Sequence, residues 1–182
     1  ERAAESYHEN AKIAALDEVD GMFRKLHASL KVDSTLKKEM VRVARRIRNG
    51  QVLLNDPTRY FLKEGILAKK CNRSGRNTKY TFFLFSDMLI YAREYGGHFK
   101  IHGELPLHLM KIMNITGTGN KKNQTQKRSF HIIHPRKSFL VFCVSPEEKE
   151  EWLQEVNAAI EREVKRKARI EGARQASAAF DR

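Results

Sequence analysis

The chain has 182 residues with 35 Lys and Arg against 22 Asp and Glu, a formal charge of +13, a balance that points to an anionic partner (lipid surface, nucleic acid or acidic protein) and says nothing about fold. The length allows one domain, or one with an appended helical piece; no apolar run approaches the ~20 residues of a membrane-spanning helix, and no secretory leader is visible. Its two cysteines, Cys71 and Cys143, lack metal-ligand spacing, which argues against a disulfide framework and for a reduced, cytoplasmic setting.

Residues 1–50 read as helical. Ile13, Leu16, Val19, Phe23, Leu26 and Leu30 recur at three- and four-residue steps, one broad apolar face interrupted by Gly21 at a cost of about 1 kcal/mol relative to Ala. The pattern is already under way near Glu1, the reading of a piece of a longer protein. Asp33, Ser34 and Thr35 offer N-caps for a second helix with Leu36, Met40, Val43 and Ile47 as its stripe and Asn49-Gly50 as its stop. Two amphipathic helices need a body to pack on.

Residues 51–60, punctuated by Asn55-Asp56-Pro57, read as a linker. From Gly65 the texture changes to short runs of β-branched and aromatic residues between turn signals, with strands expected near 65–71, 78–85, 88–93, 98–102, 109–115, 127–133 and 137–144. Hairpin-length connections at Ser86-Asp87 and Pro135-Arg136 make this a mainly β architecture, a seven-stranded antiparallel sandwich or strongly bent barrel flanked by helices. Ser145-Pro146-Glu147-Glu148 marks a helix start with a capping hydroxyl, Pro at the first helical position and a reciprocal Glu. Trp152, Val156, Ala159 and Ile160 form its buried stripe, and the helix closes one end of the barrel. A basic helical tail, 165–182, follows the domain at 61–164.

The charge is uneven. Between Gly65 and Pro146 stand 14 basic and three acidic residues. The first loop, KKCNRSGRNTK at 69–79, carries Lys69, Lys70, Arg73, Arg76 and Lys79. A second group, Lys121, Lys122, Lys127 and Arg128, lies near 117–128.

The segments RYFLKEGILAKK, YTFFLFSDMLIYA, HFKIHGELPL and KSFLVFCVSPEEKEEWLQEVNAAI resemble the successive strands and closing helix of a pleckstrin-homology (PH) domain, with Trp152 at the family's signature Trp. FFLFSDMLIY and FKIHGELPL are most similar to the PH domain that follows the Dbl-homology (DH) exchange domain in Rho-family guanine nucleotide exchange factors, of the FERM- or FYVE-containing type. The helices of 8–30 and 35–48 resemble the end of a DH domain and its connection. The resemblance implies a headgroup site at Lys69, Lys70, Arg73, Arg76, Lys79 and Arg93, with Lys121, Lys122, Lys127 and Arg128 as a secondary basic loop. It also implies peripheral association with an anionic membrane or phosphoinositide, and a Rho-family GTPase met through the parent's exchange domain. Tyr80 and Thr78 stand where strong phosphoinositide binders carry Arg and Lys. That departure keeps open a second reading, a protein-interaction or autoinhibitory scaffold.

Other chemistry is not expected. Gly117-Thr118-Gly119-Asn120-Lys121 lacks P-loop spacing and reads as a strand connector. His98, His102, His108, His131 and His134 have no accompanying Cys or acidic cluster, so no metal site is expected, nor any cofactor. The Glu run around Trp152 suits a helix N-terminus, Asp87 suits a turn, and no catalytic constellation stands out. Phe82, Phe83, Phe85, Tyr91, Phe139 and Phe142 sit within strand patterns rather than as exposed stacking platforms, which disfavours nucleic acid.

Overall fold

The computed structural model describes residues 33–71, 73–116 and 124–180. The helix predicted over 8–30 lies outside them. The chain divides between Glu39 and Met40 into two compact units. Residues 33–46 are helical (α1). Seven strands follow among the described residues: β1 Phe61–Lys70, β2 Asn77–Phe85, β3 Met88–Tyr95, β4 His98–Pro106, β5 Lys111–Asn114, β6 Ser129–Ile133 and β7 Phe139–Phe142. A short α2, Gln124–Lys127, precedes β6, and a long α3, Pro146–Phe180, ends the chain's described part. The sheet order is β4-β3-β2-β1-β7-β6-β5, every neighbouring pair antiparallel. This is the architecture the resemblance implies.

The near-continuous apolar runs of β2 and β3 reflect burial on both faces, where strict alternation of apolar and polar residues is not needed. Phe82, Leu84, Leu89 and Tyr91 point into the main core with Leu67, Phe130, Phe139, Val141 and Trp152. Their neighbours Phe83, Phe85, Ile90 and Ala92 face the other way, where Met40, Val43, Ile47 and Leu53 cover them. Met40, Val43 and Ile47 of the apolar stripe expected on the second helix thus cover a second, smaller core. Arg46 completes it, its guanidinium 2.6 Å from the Glu64 carboxylate and over the rings of Phe99 and Phe83 at 5.2 and 5.8 Å.

At the start of α3, Ser145 Oγ accepts the Glu148 amide at 3.2 Å, and the Glu148 carboxylate accepts an amide at 2.6 Å. The expected reciprocal cap forms with one shift: the Glu148 partner is Val144, one residue before the capping Ser. Trp152, 1% exposed, packs edge-on to Phe82. Gly65 leaves room for it, since a Cβ there would stand 3.0 Å from the indole.

Several boundaries differ from the sequence expectation. The residues read as a linker are fastened: Gly50–Asn55 form a 3-10 turn with Leu53 buried. Arg59 then grips both oxygens of Asp87 at 2.8 and 2.7 Å and the Leu53 carbonyl at 3.2 Å. Asp87, read as a turn residue, therefore also anchors the connection. β1 begins at Phe61 rather than 65 because Phe61 pairs with Phe85 across the hairpin. β4 runs on to Pro106, paired with Met88, where the sequence suggested an end at 102. No break separates the closing helix from the basic tail, because α3 is continuous to Phe180.

Candidate anion-binding site

The pleat of the first hairpin separates cations that the sequence placed together. Side chains alternate between faces along a strand, and directly paired residues share a face. Leu67 and Lys69 point inward with their partners Tyr80 and Thr78, whereas Ala68 and Lys70 point outward with Lys79 and Asn77. Lys70, Arg73, Arg76 and Lys79 are exposed. They surround a closed tip in which the Cys71 amide donates to the Arg76 carbonyl and the Gly75 amide to the Cys71 carbonyl, both at 2.8 Å. Gly75 supplies the positive φ of 67° that this tip requires.

Lys69 is placed differently, at 6% exposure. Its Nζ stands 4.6 Å from the Phe139 ring centroid, 5.6 Å from Tyr91 and 5.9 Å from Tyr80, an aromatic box of the kind that attracts a cation electrostatically. Burial, and then the charge of Lys137, hold its pKa below the ordinary lysine range. The expected headgroup ligand is thus a cation beneath the mouth of the barrel rather than on the loop surface. Tyr80, the residue standing where strong binders carry Arg, is one wall of this box, packed edge-on to Tyr91 at 5.4 Å and His102 at 5.3 Å.

Around Lys69 the fold gathers further cations that sequence spacing did not connect. Arg93 pairs directly with Lys100 across the β3–β4 hairpin. His102 is held below the usual histidine range, first by burial, then by Arg93, Lys100 and Lys69. Arg136 and Lys137, from the β6–β7 turn, line a cavity of about 460 Å³ with Tyr91, His102 and Gly103. Gly103 makes the close packing there possible, because a Cβ would fall 2.4 Å from the Tyr91 ring. The tip Tyr95-Gly96-Gly97-His98 turns through positive φ angles of 60° and 79° at its glycines, and leaves Tyr95 79% exposed beside Arg93 and Lys100.

The secondary basic group divides. Lys121 and Lys122 lie outside the described residues. Lys127 is exposed at the end of α2, whereas Arg128 donates to the Val144 carbonyl at 2.9 Å and so ties β6 to the start of α3. Nearby, the buried Lys149 Nζ donates to the Ile115 carbonyl at 2.7 Å and performs a similar fastening. Lys100, His102, Arg136 and Lys137 are the site residues that sequence reasoning missed as a group. Their only signal was charge near predicted hairpins, and which hairpins meet is a tertiary fact. Most of the strand aromatics weighed as stacking platforms, Phe82, Phe83, Phe85, Tyr91 and Phe139, are buried.

Fold and site define the class: the seven strands and closing helix form a pleckstrin-homology (PH) fold. Residues 66–154 match the family model of the PH domain of Rho GTPase-activating protein 20. Over 150 residues the chain is 31% identical to mouse "FERM, ARHGEF and pleckstrin domain-containing protein 2", which covers 74% of this chain and 13% of that protein. Over 120 residues it is 32% identical to human "FYVE, RhoGEF and PH domain-containing protein 6", covering 65% of this chain and 8% of the relative. The chain therefore spans a small part of these two relatives. Among solved structures, the activated truncation of Vav1 superposes with a TM-score of 0.60 at 17% identity, over 71% of this chain and 33% of that one, a likeness of fold.

Proposed function

We propose that this PH domain docks a Rho-family guanine nucleotide exchange factor on an anionic, phosphoinositide-bearing membrane and sets the orientation of its exchange domain there. The observation that carries the reading is the convergence of cations from three hairpins on one end of the barrel. The β1–β2 tip offers Lys70, Arg73, Arg76 and Lys79; β3–β4 offers Arg93 and Lys100; β6–β7 offers Arg136 and Lys137, with Lys69 held beneath them. Each Lys or Arg near an anionic leaflet contributes about 1 kcal/mol, and phosphate is the anion with which such groups form their strongest hydrogen bonds. The parent's identity as an exchange factor, with a Rho-family GTPase as partner, is supported by the relatives whose names carry ARHGEF and RhoGEF. Nucleotide exchange itself belongs to the parent's exchange domain, and localisation is peripheral, at the cytoplasmic face.

A specific observation favours a second reading. Tyr80 gives the site an aromatic wall in place of a phosphate-binding Arg, which suits a protein-interaction or autoinhibitory scaffold with little lipid binding. Liposome co-sedimentation separates the two. Wild type and Arg73→Ala/Arg76→Ala/Lys79→Ala are compared on phosphatidylcholine vesicles, alone, with phosphatidylserine, or with each phosphoinositide. Association with an anionic set that the triple variant loses supports docking. Wild type left in the supernatant on every set rejects it in favour of the scaffold.

A further inference from the structure

Arg48 lies outside the strands, two residues beyond α1. Its amide donates to the Phe99 carbonyl at 2.9 Å, beside a single parallel bridge between Ile47 and Phe99. Asn49, with φ of 59°, then turns the chain away into the 3-10 turn. In an antiparallel ladder alternate residues of an edge strand direct their amide and carbonyl outward. Phe99 is such a residue, so the pairing that joins the entering chain to β4 begins and ends with it.

The Arg48 side chain lines a pocket of about 540 Å³ with Arg93, Lys100, His102, Tyr95 and one acid, Glu94. Among the described residues no ion pair forms to Arg48, Arg93 or Lys100. Three basic side chains around one carboxylate repel one another. A multiply charged anion relieves that repulsion and collects charge-assisted hydrogen bonds from each. Arg suits the bridging position, because its planar fork meets two oxygens of one phosphate.

We infer that a phosphomonoester anion seats in this pocket and, through Arg48, staples the segment 47–49 to the β3–β4 hairpin. Occupancy of the site then stiffens the path by which the chain enters the domain. The inference rests on the reading of the barrel's open end as an anion site and adds a regulatory consequence to it. A ligand that contacts Arg48 only in the docked arrangement shifts the population toward that arrangement.

The test is amide hydrogen exchange at residue 48, with vesicle binding measured in parallel. The probes are phosphatidylcholine vesicles doped with phosphatidylinositol bisphosphate, and soluble inositol trisphosphate. The expected result is slower exchange of the Arg48 amide when the probe binds. Arg48→Ala binds on the order of fivefold more weakly and shows no slowing, while Arg48→Lys recovers part of both. Slowing by vesicles alone assigns the anion to a bilayer headgroup, and slowing by inositol trisphosphate as well assigns it to the phosphates themselves. Wild type that binds with exchange at residue 48 unchanged, or Arg48→Ala that binds as tightly as wild type, overturns the staple and leaves membrane docking standing. Wild type that binds neither probe removes both. Exchange protection retained in β2 verifies that the variant is folded; if it is lost, Lys100→Ala with the same readout takes its place.

Discussion

At the scale of single residues, two side chains have chemistry set by their surroundings more than by their type. Lys69 is a cation inside an aromatic box, and its depressed pKa reflects burial and then Lys137. Replacing a buried charge by an apolar side chain of similar length is often neutral or stabilising. Lys69→Met is therefore expected to raise stability at neutral pH by about 1 kcal/mol, read from urea unfolding. The sign with pH follows from linkage. The folded-state pKa lies below the unfolded one, so wild-type stability rises with pH between the two values as folded Lys69 loses its proton first, and the advantage of Met shrinks there. A destabilised Lys69→Met would mean that the cation–ring attraction outweighs desolvation. Cys71 is the second case. Hydrogen bonds from the Ser74 side chain, the Ser74 amide and the Arg73 amide lower its pKa to about 7, while burial pushes Cys143 up to about 12. Because the thiolate is the reactive form, alkylation by iodoacetamide should fall on Cys71, with a rate that rises to half its plateau near its pKa of about 7. Ser74→Ala should move that midpoint upward, and an unmoved midpoint would assign the shift elsewhere.

At the scale of elements, the closing helix and the connector illustrate two different ways of being fixed. The start of α3 is fixed locally by Ser145 and Glu148, and Trp152 then anchors it in the core. Loss of an N-cap hydroxyl typically costs about 1 kcal/mol, so Ser145→Ala should lower unfolding stability by that amount in urea denaturation with the slope unchanged. A loss of several kcal/mol would indicate that the β7–α3 junction fails with the cap. The connector is fixed non-locally, by Leu53 in the second core and by the Arg59–Asp87 grip. Its composition reads as a loop because the residues that restrain it are contributed by the β2–β3 turn and the faces of β2 and β3.

At the scale of the whole molecule, the separation of core from charge gives the domain its polarity, with Trp152 and α3 against the main core and basic hairpins gathered elsewhere. Association driven by those hairpins must be screened by salt. Raising ionic strength from about 0.01 M to about 0.15 M shortens the screening length from ~30 Å to ~8 Å. Vesicle binding by the wild-type chain is therefore expected to weaken on the order of tenfold over that range. Binding that changes less than about twofold would point to an apolar interface.

The sequence by itself determined the class of the fold. The period of β2 and β3, the Ser145-Pro146 helix start and the position of Trp152 are local patterns, and local backbone preference and burial period are written in neighbouring residues. It also located the charge excess between Gly65 and Pro146. Only the tertiary structure decided how that charge is arranged. The pleat turned Lys69 inward and Lys70 and Lys79 outward; a register one residue different would have reversed them. The bend of the sheet brought Arg136 and Lys137 of the β6–β7 turn beside His102, and one bridge to Phe99 brought Arg48 to Lys100. Such meetings join residues far apart in the chain, and no local propensity encodes which of several basic hairpins will face one another.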